Sequence, residues 1–306
     1  MTIRRVDELL SCIEQFHPRS LTGIREARAV DPTAFDRYCE LFLTWAVGSA
    51  GEAAIHRAVA AFSRFSSDVN LAQGRYELRG SYEHKSYNEC RRTVYDDHET
   101  MSDYLWGVYL TNFLWAHHMK LMLFYEQQFL SRLRPEFRIV ELAPGHGGWG
   151  LTALHAVPGT TLSGIDISAA SVTIASGLSR AAGMGERANY VQCDALQVVR
   201  EPSMLADAVI CCFLVEHLEQ PDELLRAMSH TVAPGGWAFF TGALTAAQVD
   251  HIYEFKRESE LVTLAERHGF RVLQTISVSP VRLLTGSRFL PRSMALLMQK
   301  CRDENW

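Results

Sequence analysis

No two cysteines stand at CxxC spacing. The seven present (Cys12, Cys39, Cys90, Cys193, Cys211, Cys212 and Cys301) are scattered and odd in number. That excludes a zinc ribbon and fits reduced thiols better than a disulfide scaffold. Basic charge is not in excess either: 30 Lys and Arg against 35 Asp and Glu leave a net charge of -5. A nucleic-acid binder working through a broad basic field is therefore not expected. Long apolar runs are missing. The most apolar stretch, 104–119, spans 16 residues and contains Asn112, His117 and His118, too short and too polar for a membrane span. The opening residues hold no apolar core before a small-residue cleavage site, so no secretory signal is expected and the cytoplasm is the expected location. There is no HExxH spacing, and adjacent His117 and His118 would point apart on a helix, so no metal is expected. Internal repeats and low-complexity tracts are absent.

What is present is an ordinary globular composition: 306 residues, 47% apolar and 21% charged, enough for a sizeable core. Two textures divide the chain. Residues 1–134 read as a helical cap, a region for substrate or oligomer contacts. Apolar-periodic runs cover 32–66, with Gly48 and Gly51 as interruptions, and one long helix is expected over 103–133, ended by Pro135. Residues 135–306 alternate strand and helix. Strands are expected at 138–142, 161–165, 188–192, 207–213, 236–242, 270–278 and 293–299, with helices at 148–156, 168–182, 220–232 and 255–268. That order implies an α/β fold with a mostly parallel sheet and helices on both faces.

The first of these strands runs into Glu141-Leu-Ala-Pro-Gly-His-Gly-Gly-Trp-Gly150, in which Gly145, Gly147 and Gly150 spell GxGxxG. Glycines here allow a tight turn and a close backbone approach to a ligand, and the helix start that follows favours electron-rich groups. Asp166 ends the second strand, where a carboxylate can accept from both hydroxyls of a ribose. Asp194 ends the third, placed to accept from an adenine amine. Then come Phe213-Leu-Val-Glu216-His217-Leu218 at the end of the fourth strand and Ala233-Pro-Gly-Gly236 before the fifth.

This ordered set resembles the class I methyltransferases that use S-adenosylmethionine (SAM), over about residues 137–300. The family's first motif is an acid and a glycine-rich loop, matched by Glu141 to Gly147 with Ala143 where the first glycine is usual. The resemblance implies a Rossmann-like seven-stranded sheet whose last strand is antiparallel, with SAM as cofactor and S-adenosylhomocysteine (SAH) as product. Carried onto this chain, it makes Glu141, Ala143, Gly145, His146, Gly147, Asp166, Ile167, Asp194, Ala195, Phe213 and Leu214 the expected cofactor residues.

The expected chemistry is in-line methyl transfer to oxygen, nitrogen or carbon of a small-molecule metabolite. Such a reaction needs a base only when the acceptor must lose a proton early. His217, just after the fourth strand, and His251, after the fifth, are the candidate catalytic groups, because ligands bind at the carboxyl ends of strands in open α/β sheets. The long helix carries Trp106, Tyr109, Phe113 and His117 at helical spacing, either a packing stripe or the wall of an acceptor pocket. Tyr87, Tyr95, Tyr109, Asn112, Trp115, His117, Glu216 and Tyr253 are the candidate substrate residues. The same helices are a candidate homodimer surface. Two readings compete: an NAD(P)-dependent oxidoreductase, which leaves Asp194 and the Glu-His-Leu segment without a role, and a non-catalytic scaffold.

Overall fold

The computed structural model describes residues 4–90, 97–197, 205–281 and 286–302. The N-terminal part is helical: α1 (Arg5–Phe16), α2 (Leu21–Val30), α3 (Pro32–Ala50), α4 (Ala54–Arg79), the short α5 (Tyr87–Cys90), α6 (His98–Leu114) and α7 (Ala116–Phe124). Local chemistry sets several of these boundaries. The Asp31 carboxylate accepts the Ala34 N–H and Pro32 follows it, so α3 starts with a cap and a pre-set φ. Asp97 caps α6 the same way, through the Thr100 N–H. Gly51, at φ +79, ends α3, whereas Gly48 stays helical inside it and faces Ala181. The expected interruption at Gly48 is thus a helix crossing instead.

The single helix expected over 103–133 is corrected in three respects. It begins earlier, at His98. It breaks at Trp115, whose backbone is extended at φ -98 and ψ 125. Beyond α7 it continues as a π-turn over Tyr125–Phe129 and a 3-10 turn over Leu130–Arg132. No proline or glycine marks the break. Tertiary packing holds it: the Trp115 ring lies flat on Phe65 of α4, with centroids 5.6 Å apart and planes at 24°.

The C-terminal part supplies β1 (Arg138–Leu142), α8 (Gly148–Ala156), β2 (Thr161–Asp166), α9 (Ala169–Ala181), β3 (Ala188–Gln192) and β4 (Ala206–Cys212). It continues with α10 (Pro221–Thr231), β5 (Val232–Leu244), α11 (Glu258–Arg267), β6 (Phe270–Val278) and β7 (Arg292–Lys300). All seven expected strands are present. The sheet order is β3-β2-β1-β4-β5-β7-β6, and β7 runs antiparallel to both its neighbours, β5 and β6. The other pairs are parallel. Strand order reverses between β1 and β4, the place where open α/β sheets leave a crevice for ligands. The inserted antiparallel strand departs from the doubly wound order typical of dinucleotide-binding sheets.

One core spans the two textures. Tyr125 and Phe129 from the helical half meet Trp149 and Phe239 from the sheet half, with ring centroids 4.7–5.7 Å apart. Each such buried side chain contributes roughly 1.5–3 kcal/mol. A second cluster, around Val209, Leu225, Phe240 and Leu296, fills the opposite face of the sheet. Among the described residues, no helix is long and apolar enough to cross a membrane.

Candidate functional site

Three non-glycine residues adopt left-handed backbone at strand ends: Ala143 after β1 (φ 52), Phe213 after β4 (φ 53) and Thr245 after β5 (φ 48). Such residues are uncommon and cluster where a site requires them. Here they turn the chain sharply at the carboxyl edge of the sheet. At Ala143 this explains why glycine is the usual residue of that motif, since only glycine reaches positive φ without a Cβ penalty. Gly145 (φ 55) continues the turn.

A groove of about 420 Å³ runs along this edge. Glu141, Ala143, Gly145, His146, Asp166, Ile167, Asp194, Ala195, Phe213 and Leu214, ten of the eleven expected cofactor residues, line it. Gly147 is the exception. Its N–H donates to the Pro144 carbonyl, and its Cα faces Ala175 and Tyr190, so it shapes the turn from behind.

Asp166 is buried, and its two oxygens accept the N–H groups of Ser168 (2.8 Å) and Gly145 (2.9 Å). A carboxylate has about four acceptor positions, so acceptor capacity remains for a hydroxyl in the groove. Burial raises its pKa, and those two amides and the Ser171 side chain pull it back. Asp194 accepts the Leu196 N–H at 2.9 Å. Glu141 lies deeper: one oxygen accepts the Gly150 N–H at 3.2 Å and the other has no hydrogen-bond partner. Burial pushes its pKa up to about 8. His146 is buried and neutral, its pKa lowered to about 3 by desolvation. Its Nδ1 accepts the Gly148 N–H, and its Nε2 meets the Asn112 amide at 3.2 Å.

A second cavity, about 240 Å³, adjoins the groove. Both are walled by Tyr104, Val108, Thr111, His118, Phe213 and His217, which form the seam between them. Beyond the seam, the cavity is bounded by Phe65 of α4, Trp115 and His117, and by Ala243, Ala247 and His251 around the end of β5. His117 stacks under Trp115 (5.3 Å, 20°) and His118 stacks on Phe213 (5.1 Å, 25°). Burial holds both imidazoles neutral: His117 is lowered to about 3, and His118 falls well below the ordinary range. Arg292 is the sole Lys, Arg, Asp or Glu among the described lining residues.

His217 and His251 come from different strands and meet here, with ring centroids 4.8 Å apart and planes at 88°. His217 Nδ1 lies 3.1 Å from the Asp250 carbonyl and 3.3 Å from its carboxylate. Oxygens of both kinds only accept, so this Nδ1 carries the proton. His251 Nδ1 likewise donates to the Ala246 carbonyl at 2.6 Å, and burial lowers the ring's pKa to about 3. Glu216 is fully buried beneath them, and neither of its oxygens makes a hydrogen bond. Desolvation raises its pKa to about 7, opposed by the neighbouring His217 and by the nearby backbone N–H groups of Glu216 and Ala243. One ligand atom from each of Glu216, His217 and His251 lies within 4.8 Å of the other two.

Four of the candidate substrate residues need correction. Tyr109 is fully buried, its hydroxyl donating to the Phe42 carbonyl and its ring edge-on to His146. Asn112, like Tyr87, lines the groove and not the second cavity, with its amide against His146. Tyr253 is 40% exposed and packs on Phe255 beside a separate hollow near α10 and α11. Glu216 lies behind the wall rather than in it. Trp115 and His117 do line the second cavity, and Tyr87 lines the groove. Tyr95 lies outside the described residues. The break at Trp115 also separates His117 from the stripe of Trp106, Tyr109 and Phe113.

Sequence reasoning missed Tyr104, whose hydroxyl lies near Asp250 and whose pKa burial pushes well up. It also missed Phe65. Asp250 carried one available signal, an acid directly before His251 in the segment after β5.

The comparisons agree with this geometry. Residues 139–236 match the family model described as a methyltransferase domain. A ubiquinone biosynthesis O-methyltransferase of Chromobacterium violaceum is 35% identical over 153 residues, 44% of this chain and 64% of that protein. Its namesake from Burkholderia pseudomallei is 29% identical over 159 residues, 46% of this chain and 67% of that protein. The chain thus spans about two thirds of the length of these curated relatives. Among solved structures, an O-methyltransferase family protein from Burkholderia thailandensis superposes with a TM-score of 0.55 at 15% identity, covering 83% of this chain and 74% of that one. A Haemonchus contortus phosphoethanolamine N-methyltransferase reaches 0.53 at 14% identity, covering 72% and 62%. At these identities the structural likenesses establish the fold.

Proposed function

We propose, from the premise that this chain belongs to the class I SAM-dependent methyltransferases and methylates a small molecule, that the acceptor atom is the oxygen of a hydroxyl on a compact, mainly apolar compound. The observation that carries this reading is the seam. A groove with carboxylates placed for a nucleoside meets an aromatic cavity at Phe213, His118 and His217. The cavity offers the neutral imidazoles of His117, His118 and His251 and no acidic side chain among its described lining residues, which suits a neutral hydroxyl better than a cationic amine. The curated relatives, named as O-methyltransferases, support the same choice.

The residues present fit the cofactor. Asp166 retains acceptor capacity for a ribose hydroxyl, Asp194 faces the adenine side, and the unpartnered oxygen of Glu141 suits the ammonium of the methionyl part. When bound, SAM supplies the methyl group and the sulfur that takes up the electron pair. The chain's own part is positioning. Phe213, Tyr104 and Val108 keep the seam narrow and apolar, so the two reactants meet with little water between them. Holding reactants in line can be worth roughly 7–11 kcal/mol of barrier. His217 and His251 are the nitrogen groups we assign to the acceptor hydroxyl. The setting we propose is cytoplasmic, and a second copy docked on the helical half completes the reading.

The test pairs SAH calorimetry with methyl transfer to matched ring compounds that differ only in bearing a hydroxyl or an amino group. Binding of SAH with methylation of the hydroxyl compound is the expected result. Methylation of the amine alone overturns the choice of oxygen, and failure to bind SAH overturns the cofactor assignment.

A further inference from the structure

We propose that Glu216, His217 and His251 form a binding site for one divalent transition-metal cation at the acceptor end of the cleft. Three independent features point to it. The first is convergence: a carboxylate and a ring nitrogen from each histidine lie within 4.8 Å of one another. Donors held ~2.1 Å from one ion stand roughly 3–4 Å apart, so a small contraction closes the set. The second is the carboxylate itself. Glu216 is fully buried, yet neither oxygen completes a hydrogen bond, and only the backbone N–H groups of Glu216 and Ala243 draw near it. An acid placed so is normally paired, or else coordinates a metal. The third is the support behind the rings. Both Nδ1–H groups are committed to oxygens, His251 to the Ala246 carbonyl and His217 to Asp250. Each ring is fixed in the tautomer whose Nε2 carries the lone pair, the arrangement that accompanies metal-ligating histidines.

Two imidazoles and one carboxylate select Zn²⁺, Co²⁺ or Fe²⁺ over Mg²⁺ and Ca²⁺, which prefer all-oxygen sites. Three protein ligands are the usual complement of a zinc site that keeps an open position. Here that position faces the acceptor cavity, which His217 and His251 both line. The role in catalysis rests on the methyl-transfer reading above. With the cation held, His217 and His251 would act on the acceptor through it rather than directly: the acceptor oxygen would bind the cation and release its proton to solvent. Its lone pair would then form the new O–C bond as the C–S bond breaks, and sulfur would keep that pair in neutral SAH. The set is invisible to local motif searches because Glu216 and His217 close β4 while His251 follows β5.

The experiment strips the full-length protein with a chelator and titrates it with Co²⁺, reading visible d–d absorption, and then displaces Co²⁺ with Zn²⁺ counted by mass spectrometry. The expected result is one cation per chain, at least tenfold weaker binding in Glu216→Gln and His251→Asn, and unchanged SAH affinity in both. Circular dichroism checks that the variants fold, and Asp222→Asn, remote from the cluster, serves as the unaffected comparison. Absence of stoichiometric Co²⁺ and Zn²⁺ overturns the site and leaves Glu216 a neutral core acid. Binding that persists undiminished in both variants overturns it by placing the ion elsewhere. A chain that binds the cation but not SAH retains the metal site and loses the methyl-transfer reading, so the two failures are distinguishable.

Discussion

At one end of the cleft the binding groups are near neighbours in the chain; at the other they are strangers. The groove takes its loop from 141–150, one acid, Asp166, from the end of β2 and another, Asp194, from just after β3. These pieces brace each other through short-range bonds, Asp166 holding Gly145 and Ser168 together. The acceptor cavity draws instead on α4, α6, α7, the ends of β4 and β5, and the segment before β7. Long ties hold those parts in place. The Gln73 side chain bridges the Thr245 carbonyl and the Ala247 N–H. Tyr76 donates to Glu254, and the Glu77 carboxylate accepts the N–H groups of Arg288 and Phe289. A site assembled from consecutive loops survives changes elsewhere in the chain. A site assembled by distant packing changes whenever its partners do.

The contrast predicts which end each substitution disturbs. The largest effect is expected at Asp166. Asp166→Ala removes charged acceptors from a bound hydroxyl and two amides, and should weaken SAH binding ~10²–10³-fold, about 3–4 kcal/mol, by calorimetry. A loss below threefold would remove Asp166 from the ribose site. Next is Glu141. Its folded pKa of about 8 exceeds the ordinary 4.5, so the folded chain binds the extra proton between those values. Stability of the cofactor-free protein should fall as pH rises through that window, by roughly 2–3 kcal/mol from pH 5 to 7. Glu141→Gln should flatten the dependence, read by denaturant titration at each pH, and an equal slope in the variant would show that other groups cause it.

Smaller effects belong to the acceptor end. A Cβ on Gly107 would stand 2.9 Å from the Ala61 carbonyl and from Phe65 Cβ, so Gly107→Ala should push α4 off α6. We expect about 2 kcal/mol of destabilisation and a raised acceptor KM, with SAH affinity unmoved. A coupled loss of SAH binding would mean that the two ends are not separable. Smallest is Trp115→Ala, which removes one aromatic wall. Acceptor KM should rise ~10-fold, about 1.4 kcal/mol, while SAH affinity stays within twofold. An unchanged KM would take Trp115 out of the pocket.

Legibility follows the same division. The strands, the glycine turn, Asp166 and Asp194 were readable because short continuous apolar runs and a turn at a fixed offset are local signals. The left-handed φ at Ala143 shows why glycine is usual at the position where this chain departs from the motif. The acceptor end was not readable. Helical spacing grouped Tyr109 with Trp106, Phe113 and His117, but spacing cannot say which face meets a cavity, and Tyr109 went to the Phe42 carbonyl instead. Leu114, Trp115 and Ala116 are all compatible with helix, so the break that swings His117 into the cavity comes from the stack on Phe65. Tyr104 and Phe65 had no motif at all, only a place in the fold.

The ring cluster that joins the halves has a consequence for how this protein can change. Phe239 and Leu297 in the sheet are covered by Tyr125, Phe129 and their neighbours from the helical half. Cutting the chain near residue 134 would bare that surface to water and invite aggregation. The helices are thus not a cartridge that could be exchanged for another with a different taste in acceptors. New specificity would have to arrive by substitution inside the cavity, residue by residue, under helices that stay.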